Sequence, residues 1–279
     1  MNERSGTDFS VRFWGVRGSI PSPGPTTLKY GGNTSCVEMR CGRNLLIFDA
    51  GSGLRELGRK LAESGPVEAD MFLSHTHYDH LVGLPFFIAA FQSSNRFHVW
   101  AGHLLPERTI EAVLRTFMAE PLFPVPLDIF NCQMTFQDFR AGETLSPRPG
   151  INIRTVALNH PNRATGYRVE YGGKSVCYVT DYEHTPGALD PAVVKLVEGA
   201  DLMIYDATYT DAEYPRFKGW GHSTWQEGVR LAKATHVKAI ALFHHDPTHD
   251  DAMLDEIARE AAREFPGAIV AREGAILNP

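Results

Sequence analysis

Residues 72–83 read FLSHTHYDHLVG and place four metal-ligand side chains within six positions, namely His75, His77, Asp79 and His80. The stretch follows ADMFLS (69–74), which has the apolar pattern of a buried strand. His75 and His77 are two apart, so an extended backbone points both imidazoles to one side, whereas the adjacent Asp79 and His80 point elsewhere. One loop would thus serve two metal ions of the kind that imidazole and carboxylate suit: zinc, manganese or iron. The alternative, a solvated histidine-rich turn, does not require this spacing after a buried strand.

Composition sets wide limits on what the chain does. Its 279 residues are 43% hydrophobic, enough to bury a large core. Since no internal repeat, low-complexity tract or long linker interrupts the chain, we predict a single domain over 1–279. The net charge of −6 argues against a general polyanion-binding surface, although two bound divalent cations would neutralise most of it.

The N-terminus and the cysteines favour a cytoplasmic protein with no membrane association. MNERSGTDFS lacks the apolar core of a signal peptide, and the longest apolar run, at 81–91, is too short to cross a bilayer. The four cysteines form no CxxC motif, and we expect reduced thiols at Cys36, Cys41, Cys132 and Cys177.

Strand-like and helical patterns alternate in clusters along the chain. Eight runs predict strands, at 11–16, 35–40, 45–50, 69–74, 152–158, 175–181, 201–207 and 238–245. Four periods predict helices, at 53–64, 107–118, 224–235 and 250–265. Several strands are apolar on both faces, as strands covered by helices are. The pattern predicts a layered α/β fold with a mixed sheet, and a surface loop at the proline-rich segment 121–130.

Three further ligand candidates follow apolar strands. His160 comes after NIRTVAL, Asp181 ends SVCYVTD, and His244 ends KAIALFHH with His245 as its alternative. Taken alone, each would more often be a cap or turn residue. Their shared position at the carboxyl ends of strands, where α/β sheets place functional sites, favours a role as ligands.

Together, HTHYDH, His160, Asp181 and His244 resemble the ordered signature of the metallo-β-lactamase superfamily. The resemblance runs from VRFWGVRGSIP to LFHHDP and implies a four-layer αββα sandwich of two similar halves around a dinuclear centre. It implies a first metal on His75, His77 and His160. The second metal would take Asp79, His80 and His244, with Asp181 bridging the two. FDAGSG (48–53) resembles the family's early strand–turn motif and implies that Asp49 hydrogen-bonds a ligand histidine.

Two features distinguish branches of this superfamily. Asp181 stands where many β-lactamases carry a cysteine ligand, which disfavours β-lactam hydrolysis. DLMIYDATYTDAEY and GWGHSTWQEGVRLA resemble ribonuclease Z and its phosphodiesterase relatives. That resemblance implies a dyad in which His222 contacts a phosphoryl oxygen or protonates the leaving group while Asp206 fixes its tautomer. The alternative is that His222 is a solvated residue before a helix cap.

The glycine-rich opening GVRGSIPSPGPTTLKYGGNTSC also resembles this branch, which implies Arg17 and Ser19 as substrate contacts. A glycine-rich turn needs no ligand, however. The whole resemblance implies a dinuclear hydrolase with two divalent ions, zinc first and manganese or iron as alternatives. Its substrate would be a small phosphodiester such as a cyclic nucleotide, with Asp79 orienting the attacking group.

Only twenty residues (161–180) separate His160 from Asp181, leaving no room for a long substrate-binding arm, so we expect transfer RNA not to be a partner. The apolar segments FFIAAF and PLFPVPLDIF would line a ligand pocket or form a homodimer contact. Two rival functions remain open. One is a thioester hydrolase similar to glyoxalase II, which has no need of His222. The other is a sensing module that keeps the metal centre without turnover.

Overall fold

The structure, a computed structural model, describes residues 8–279 and contains fourteen strands within that range. The first six are β1 (Phe9–Gly15), β2 (Cys36–Cys41), β3 (Asn44–Phe48), β4 (Glu68–Leu73), β5 (Arg96–Ala101) and β6 (Gln133–Asp138). The next four are β7 (Thr144–Leu145), β8 (Asn152–Leu158), β9 (Ala164–Tyr171) and β10 (Lys174–Val179). The last four are β11 (Leu202–Asp206), β12 (Ala239–Phe243), β13 (Ala268–Val270) and β14 (Ile276–Leu277).

These strands form two seven-stranded sheets that repeat one design. The first has the order β14-β1-β2-β3-β4-β5-β6 and the second the order β13-β12-β11-β10-β9-β8-β7. In the first sheet the strands from β3 to β6 are parallel, and in the second those from β10 to β13 are parallel. The remaining pairs are antiparallel. Because parallel neighbours end at the same edge, each sheet presents several carboxyl ends together.

The described residues form six α-helices: α1 (Gly53–Ala62), α2 (Ile110–Phe117), α3 (Pro191–Val197), α4 (Tyr214–Phe217), α5 (Trp225–Ala234) and α6 (Asp251–Glu264). All but the short α4 pack on the outer faces of the sheets. Side-chain caps fix where several begin. Thr224 accepts from the Glu227 amide at the start of α5, and Asp250 accepts from the Met253 amide at the start of α6. These bonds satisfy amides that the first helical turn leaves unpaired.

Three apolar layers hold the sandwich together. The layer between the sheets is aromatic, with ring centroids 5.3 Å apart for Phe48 and Phe72 and 5.5 Å apart for Phe48 and Tyr178. Two outer layers join α1 and α2 to the first sheet, and α3, α5 and α6 to the second. Removing a fully buried ring such as Phe48 would cost about 3–5 kcal/mol of unfolding free energy. The helix–sheet–sheet–helix order confirms the predicted αββα sandwich.

The predicted elements are present, with shifted ends, and further ones are added. All eight predicted strands and four predicted helices overlap observed ones. The elements that were not predicted are β5, β6, β7, β9, β13, β14, α3 and α4. Segment 121–130 is a surface segment as predicted, with one short 3-10 turn at Leu127–Ile129. A helix long and apolar enough to span a bilayer does not occur between residues 8 and 279.

Candidate metal centre

The strand-end side chains converge in two adjoining groups. In the first, one ligand atom from each of His75, His77 and His160 lies within 4.8 Å of the others. The Nδ1 atom of His77 is 3.1 Å from the Nε2 atom of His160. The loop after β4 and the loop after β8 thus meet across the two sheets at this point.

The second group contains Asp79, His80, Asp181 and His244, again within 4.8 Å of one another. The Asp79 Oδ2 atom is 3.2 Å from the Nε2 atoms of both His80 and His244. Asp181 lies between the groups, with Oδ2 3.2 Å from His80 Nε2 and Oδ1 3.7 Å from His75 Nε2. Asp181 and His244 both have positive φ, 55° and 62°. This strained conformation turns the backbone away from the direction of the strand that precedes each residue.

Hydrogen bonds behind the histidines fix which ring nitrogen faces the centre. Nδ1 of His80 donates to the Asp49 carboxylate at 2.8 Å, and Nδ1 of His160 donates to the Gly221 carbonyl at 2.8 Å. Asp49 also accepts from the Ser74 amide, the Ser74 hydroxyl and the Tyr178 hydroxyl. Both imidazoles therefore keep the Nε2 lone pair for the interior of the cluster.

The donor set fits divalent metal ions. The Nε2 atoms of His75 and His80 are buried, and within residues 8–279 neither makes a contact with hydrogen-bond geometry, although carboxylate oxygens of Asp79 and Asp181 lie 3.2 Å from that of His80. Burial lowers the pKa of His75 well below its usual range, which keeps its lone pair free. Burial also opposes charge on His80, but Asp181, Asp79 and Asp49 outweigh it and raise the pKa of His80. The site thus stabilises positive charge where neutral imidazoles and carboxylates converge, as zinc-type ions require.

His222 and Asp206 form a pair beside the cluster. Nδ1 of His222 donates to Asp206 Oδ2 at 2.9 Å, and its ring lies 4.9 Å from the His244 ring at an angle of 25°. Asp206 is fully buried and also accepts from the Tyr182 amide, the Thr208 amide and the Thr208 hydroxyl. Burial disfavours the imidazolium, but the Asp206 carboxylate outweighs burial and raises the pKa of His222 to about 9.

The two residues of the glycine-rich opening have different positions from those expected. The guanidinium of Arg17 is fully buried and donates to the backbone carbonyls of Gly31, Asp246 and His249. These carbonyls hold the Arg17 side chain inside the protein, whereas the expected substrate contact would need it at the surface of the site. Ser19 lies at the centre instead through its backbone amide, which donates to Asp79 Oδ2 at 2.8 Å.

The histidine after β12 that joins the cluster is His244. Nε2 of His245 lies 2.8 Å from the Ala271 carbonyl oxygen instead, away from the other ligands. The sequence reasoning missed three supporting residues: Ser74, Thr208 and Tyr178. Ser74 and Thr208 are neighbours of the motifs and could have been found there. Nothing in the local pattern indicates that Tyr178 reaches Asp49 across 129 positions.

Comparison with known proteins identifies the family. Residues 43–245 match a family described as the beta-lactamase superfamily domain, which covers well over half of the chain. The chain belongs to the beta-lactamase superfamily. Members share this αββα architecture, and the centre described above is the donor set of a divalent-metal site. The chain is a metal-dependent hydrolase.

Relatives that align with nearly the whole chain are named ribonuclease Z. A ribonuclease Z of Haloarcula marismortui is 24% identical, and the alignment covers 94% of each chain. A ribonuclease Z of Bradyrhizobium sp. (strain ORS 278) is 26% identical, and the alignment covers 95% of this chain and 98% of the relative.

Solved structures share the fold at low identity. Human tRNase Z, short form, has a TM-score of 0.67 and 20% identity over 96% of this chain and 98% of its own. A diphosphatase of the PhnP family has a TM-score of 0.69 and 19% identity over 97% of this chain and 98% of its own. Zinc-bound PqqB from Methylobacterium extorquens has a TM-score of 0.72 and 16% identity over 97% and 100%.

These findings overturn one expectation about partners. The prediction that transfer RNA is not a partner is wrong, since relatives named ribonuclease Z align with nearly the whole chain and the human neighbour is a tRNase Z. The short spacing between His160 and Asp181 is therefore no ground for excluding transfer RNA.

Proposed function

We propose that this chain hydrolyses phosphodiesters at a dinuclear centre holding two divalent ions, with zinc the first choice. His75, His77 and His160 would hold one ion. Asp79, His80 and His244 would hold the other, and Asp181 would contact both. Supporting this division, the two sets of ligand atoms adjoin each other and Asp181 has one carboxylate oxygen near each set. Bound divalent ions at such a site activate water and polarise a phosphoryl oxygen.

The observation that carries the phosphodiesterase proposal is the Asp206–His222 pair. The Asp206 carboxylate accepts from Nδ1 of His222 and raises the pKa of His222 to about 9, so near neutral pH the ring is an imidazolium whose Nε2–H is available to substrate. That proton would pass to the alkoxide leaving group, or the N–H would hold a phosphoryl oxygen. Asp79, fixed by the Ser19 amide at 2.8 Å, would orient the attacking water. A thioester hydrolase would have no use for an acid at this position, because a thiolate leaves without one.

We propose a small phosphodiester, such as a cyclic nucleotide, as substrate. A second candidate is cleavage of precursor transfer RNA, favoured by the relatives named ribonuclease Z. Both reactions break a phosphodiester and would use the same centre, so the size of the substrate is what separates them.

The test combines metal analysis with turnover. Purified protein should contain about two metal ions per chain, as the two ligand groups predict. It should hydrolyse bis(p-nitrophenyl) phosphate, and a chelator should abolish that activity until zinc or manganese is restored. Cyclic nucleotides and a precursor transfer RNA are then compared by kcat/KM. Hydrolysis of an acyl-glutathione with no phosphodiester cleaved would refute the proposal in favour of the thioester hydrolase. Stable metal binding with neither activity would favour the sensing module.

Two broader proposals accompany this one. A single domain over 1–279 is supported by the aromatic layer that both sheets share. A cytoplasmic location is supported by the free thiols of Cys36, Cys41, Cys132 and Cys177.

A further inference from the structure

An exposed tryptophan lies at the rim of the metal centre. Trp220 is 63% exposed, although indole is among the side chains that gain most from burial. It precedes Gly221, whose carbonyl accepts a 2.8 Å hydrogen bond from His160. It also lies two positions before His222, so its backbone borders both the ligand group and the proposed acid.

The loop that carries Trp220 is held rigidly. Gly219 and Gly221 have φ of 91° and 89°, and a Cβ at Gly221 would come within 2.3 Å of His160. The amides of both glycines donate to the carboxylate of Glu183 at 2.7 Å. The backbone on both sides of Trp220 is therefore fixed relative to His160.

The indole also connects to the proposed acid through packed rings. Its centroid is 5.4 Å from that of Phe217, which stacks on Tyr209 at 4.6 Å and 7°. The Tyr209 ring is in turn 6.0 Å from the His222 ring. Fixing these rings against each other lets Trp220 present its indole at a constant position relative to His222.

The surroundings of Trp220 suit a nucleotide. Arg216 and Lys218 are exposed on the same short segment, and the Arg216 guanidinium lies 5.6 Å from the Phe217 ring centroid. At the first ligand group, the ring of Tyr78 is also 63% exposed, and it follows His77, whose Nδ1 is 3.1 Å from His160 Nε2. Aromatic faces and cations beside a phosphate-cleaving centre are what an unpaired base and its backbone bind.

We propose that Trp220 forms a nucleobase subsite, stacking on the base of a nucleotide phosphodiester whose phosphate is cleaved beside His222. This inference rests on the proposed function and narrows its substrate class to phosphodiesters that carry a base. Trp220 is a positioning residue here, because it binds the base and leaves the chemistry to the metal centre. Base stacking on one aromatic side chain corresponds to about tenfold in affinity.

Two esters with the same leaving group test this. Thymidine 5′-(p-nitrophenyl phosphate) carries a base, and methyl p-nitrophenyl phosphate does not. Trp220→Ala should raise KM for the thymidine ester about tenfold with kcat nearly unchanged, and leave the methyl ester unaffected. Trp220→Phe should restore most of the loss, since it keeps an aromatic face. Ile276→Ala, which removes an apolar side chain of 55% exposure from β14, should change neither ester.

An unchanged KM for the thymidine ester in Trp220→Ala, or equal losses on both esters, would overturn the subsite. If the wild type cleaves neither ester, the proposed function fails, and binding then decides the subsite alone. Thymidine 5′-monophosphate should quench the tryptophan fluorescence of the wild type and of Ile276→Ala, but not that of Trp220→Phe. The same quenching in all three proteins would refute stacking on Trp220.

Discussion

Replacing His222 with alanine should slow cleavage in proportion to how poor the leaving group is. Nε2 of His222 is the proton donor in the proposed reaction, and general acid catalysis contributes about 10²–10⁴ in rate, or about 3–5 kcal/mol of activation free energy. An alkoxide needs that proton, whereas p-nitrophenolate leaves readily without it. The loss should thus approach the full range for a cyclic nucleotide and fall below about tenfold for bis(p-nitrophenyl) phosphate.

The fold should survive this substitution. Asp206 loses one donor but keeps the Tyr182 amide and both Thr208 donors, so the cost is about 1–3 kcal/mol of unfolding free energy. Turnover of both substrates and metal content are measured on the same preparation, with His98→Ala as a control because His98 bonds Thr135 and Glu68 on the first sheet. An equal loss of turnover on both substrates would refute proton donation by His222. A loss of metal from the His222→Ala variant would indicate that His222 is a metal ligand.

Three further substitutions probe the support of the centre. Gly18→Ala should lower metal content from about two ions towards one, measured by atomic emission, because its Cβ would lie 2.4 Å from the His244 ring. Tyr178→Phe removes a donor from Asp49 and should weaken zinc affinity about tenfold in a competitive chelator titration. Arg17→Lys should lower the melting temperature with KM unchanged, because a lysine cannot reach the same set of carbonyls.

Controls separate these effects from general destabilisation. Gly24→Ala is the match for Gly18, since its Cβ would meet no atom within 4 Å, and it should keep both ions. Tyr167→Phe is the match for Tyr178, because it removes a buried hydroxyl that bonds the Leu73 carbonyl. Equal metal affinity in the two phenylalanine variants would show that Asp49 does not need Tyr178. If Arg17→Lys instead raised KM without changing stability, Arg17 would have to contact the substrate.

The sequence indicated the sandwich and the cluster because their signals are local. His75 to His80 form one short motif, and strand-terminal polar residues such as Asp181 stand out against apolar runs. Arg17 shows the limit of this reasoning. The local sequence predicts that an arginine in a glycine-rich loop is exposed. The carbonyls of Asp246 and His249, which accept from Arg17, are far away in sequence and come close only in the folded chain.

The missed elements have a similar cause. β9 contains Arg168, a charged residue that breaks the apolar pattern yet is buried, because it donates to the carbonyls of Leu196 and Glu198. α3 is only seven residues long and rich in valine, which favours strands. Its start depends on Asp190, which caps the first amides, and on Pro191 at the first helical position.

The centre draws its ligands from both halves of the sandwich, so metal can bind fully only after both halves have folded against each other. Asp79 and His244 are 165 positions apart, and His77 and His160 are 83 apart. Bringing such distant residues together costs chain entropy that only the completed core offsets. Ions that bind the native arrangement alone add their binding free energy to it. During synthesis, a ribosome must release β12 before the second group is complete, so metal bound at both groups would mark a chain whose two halves have come together.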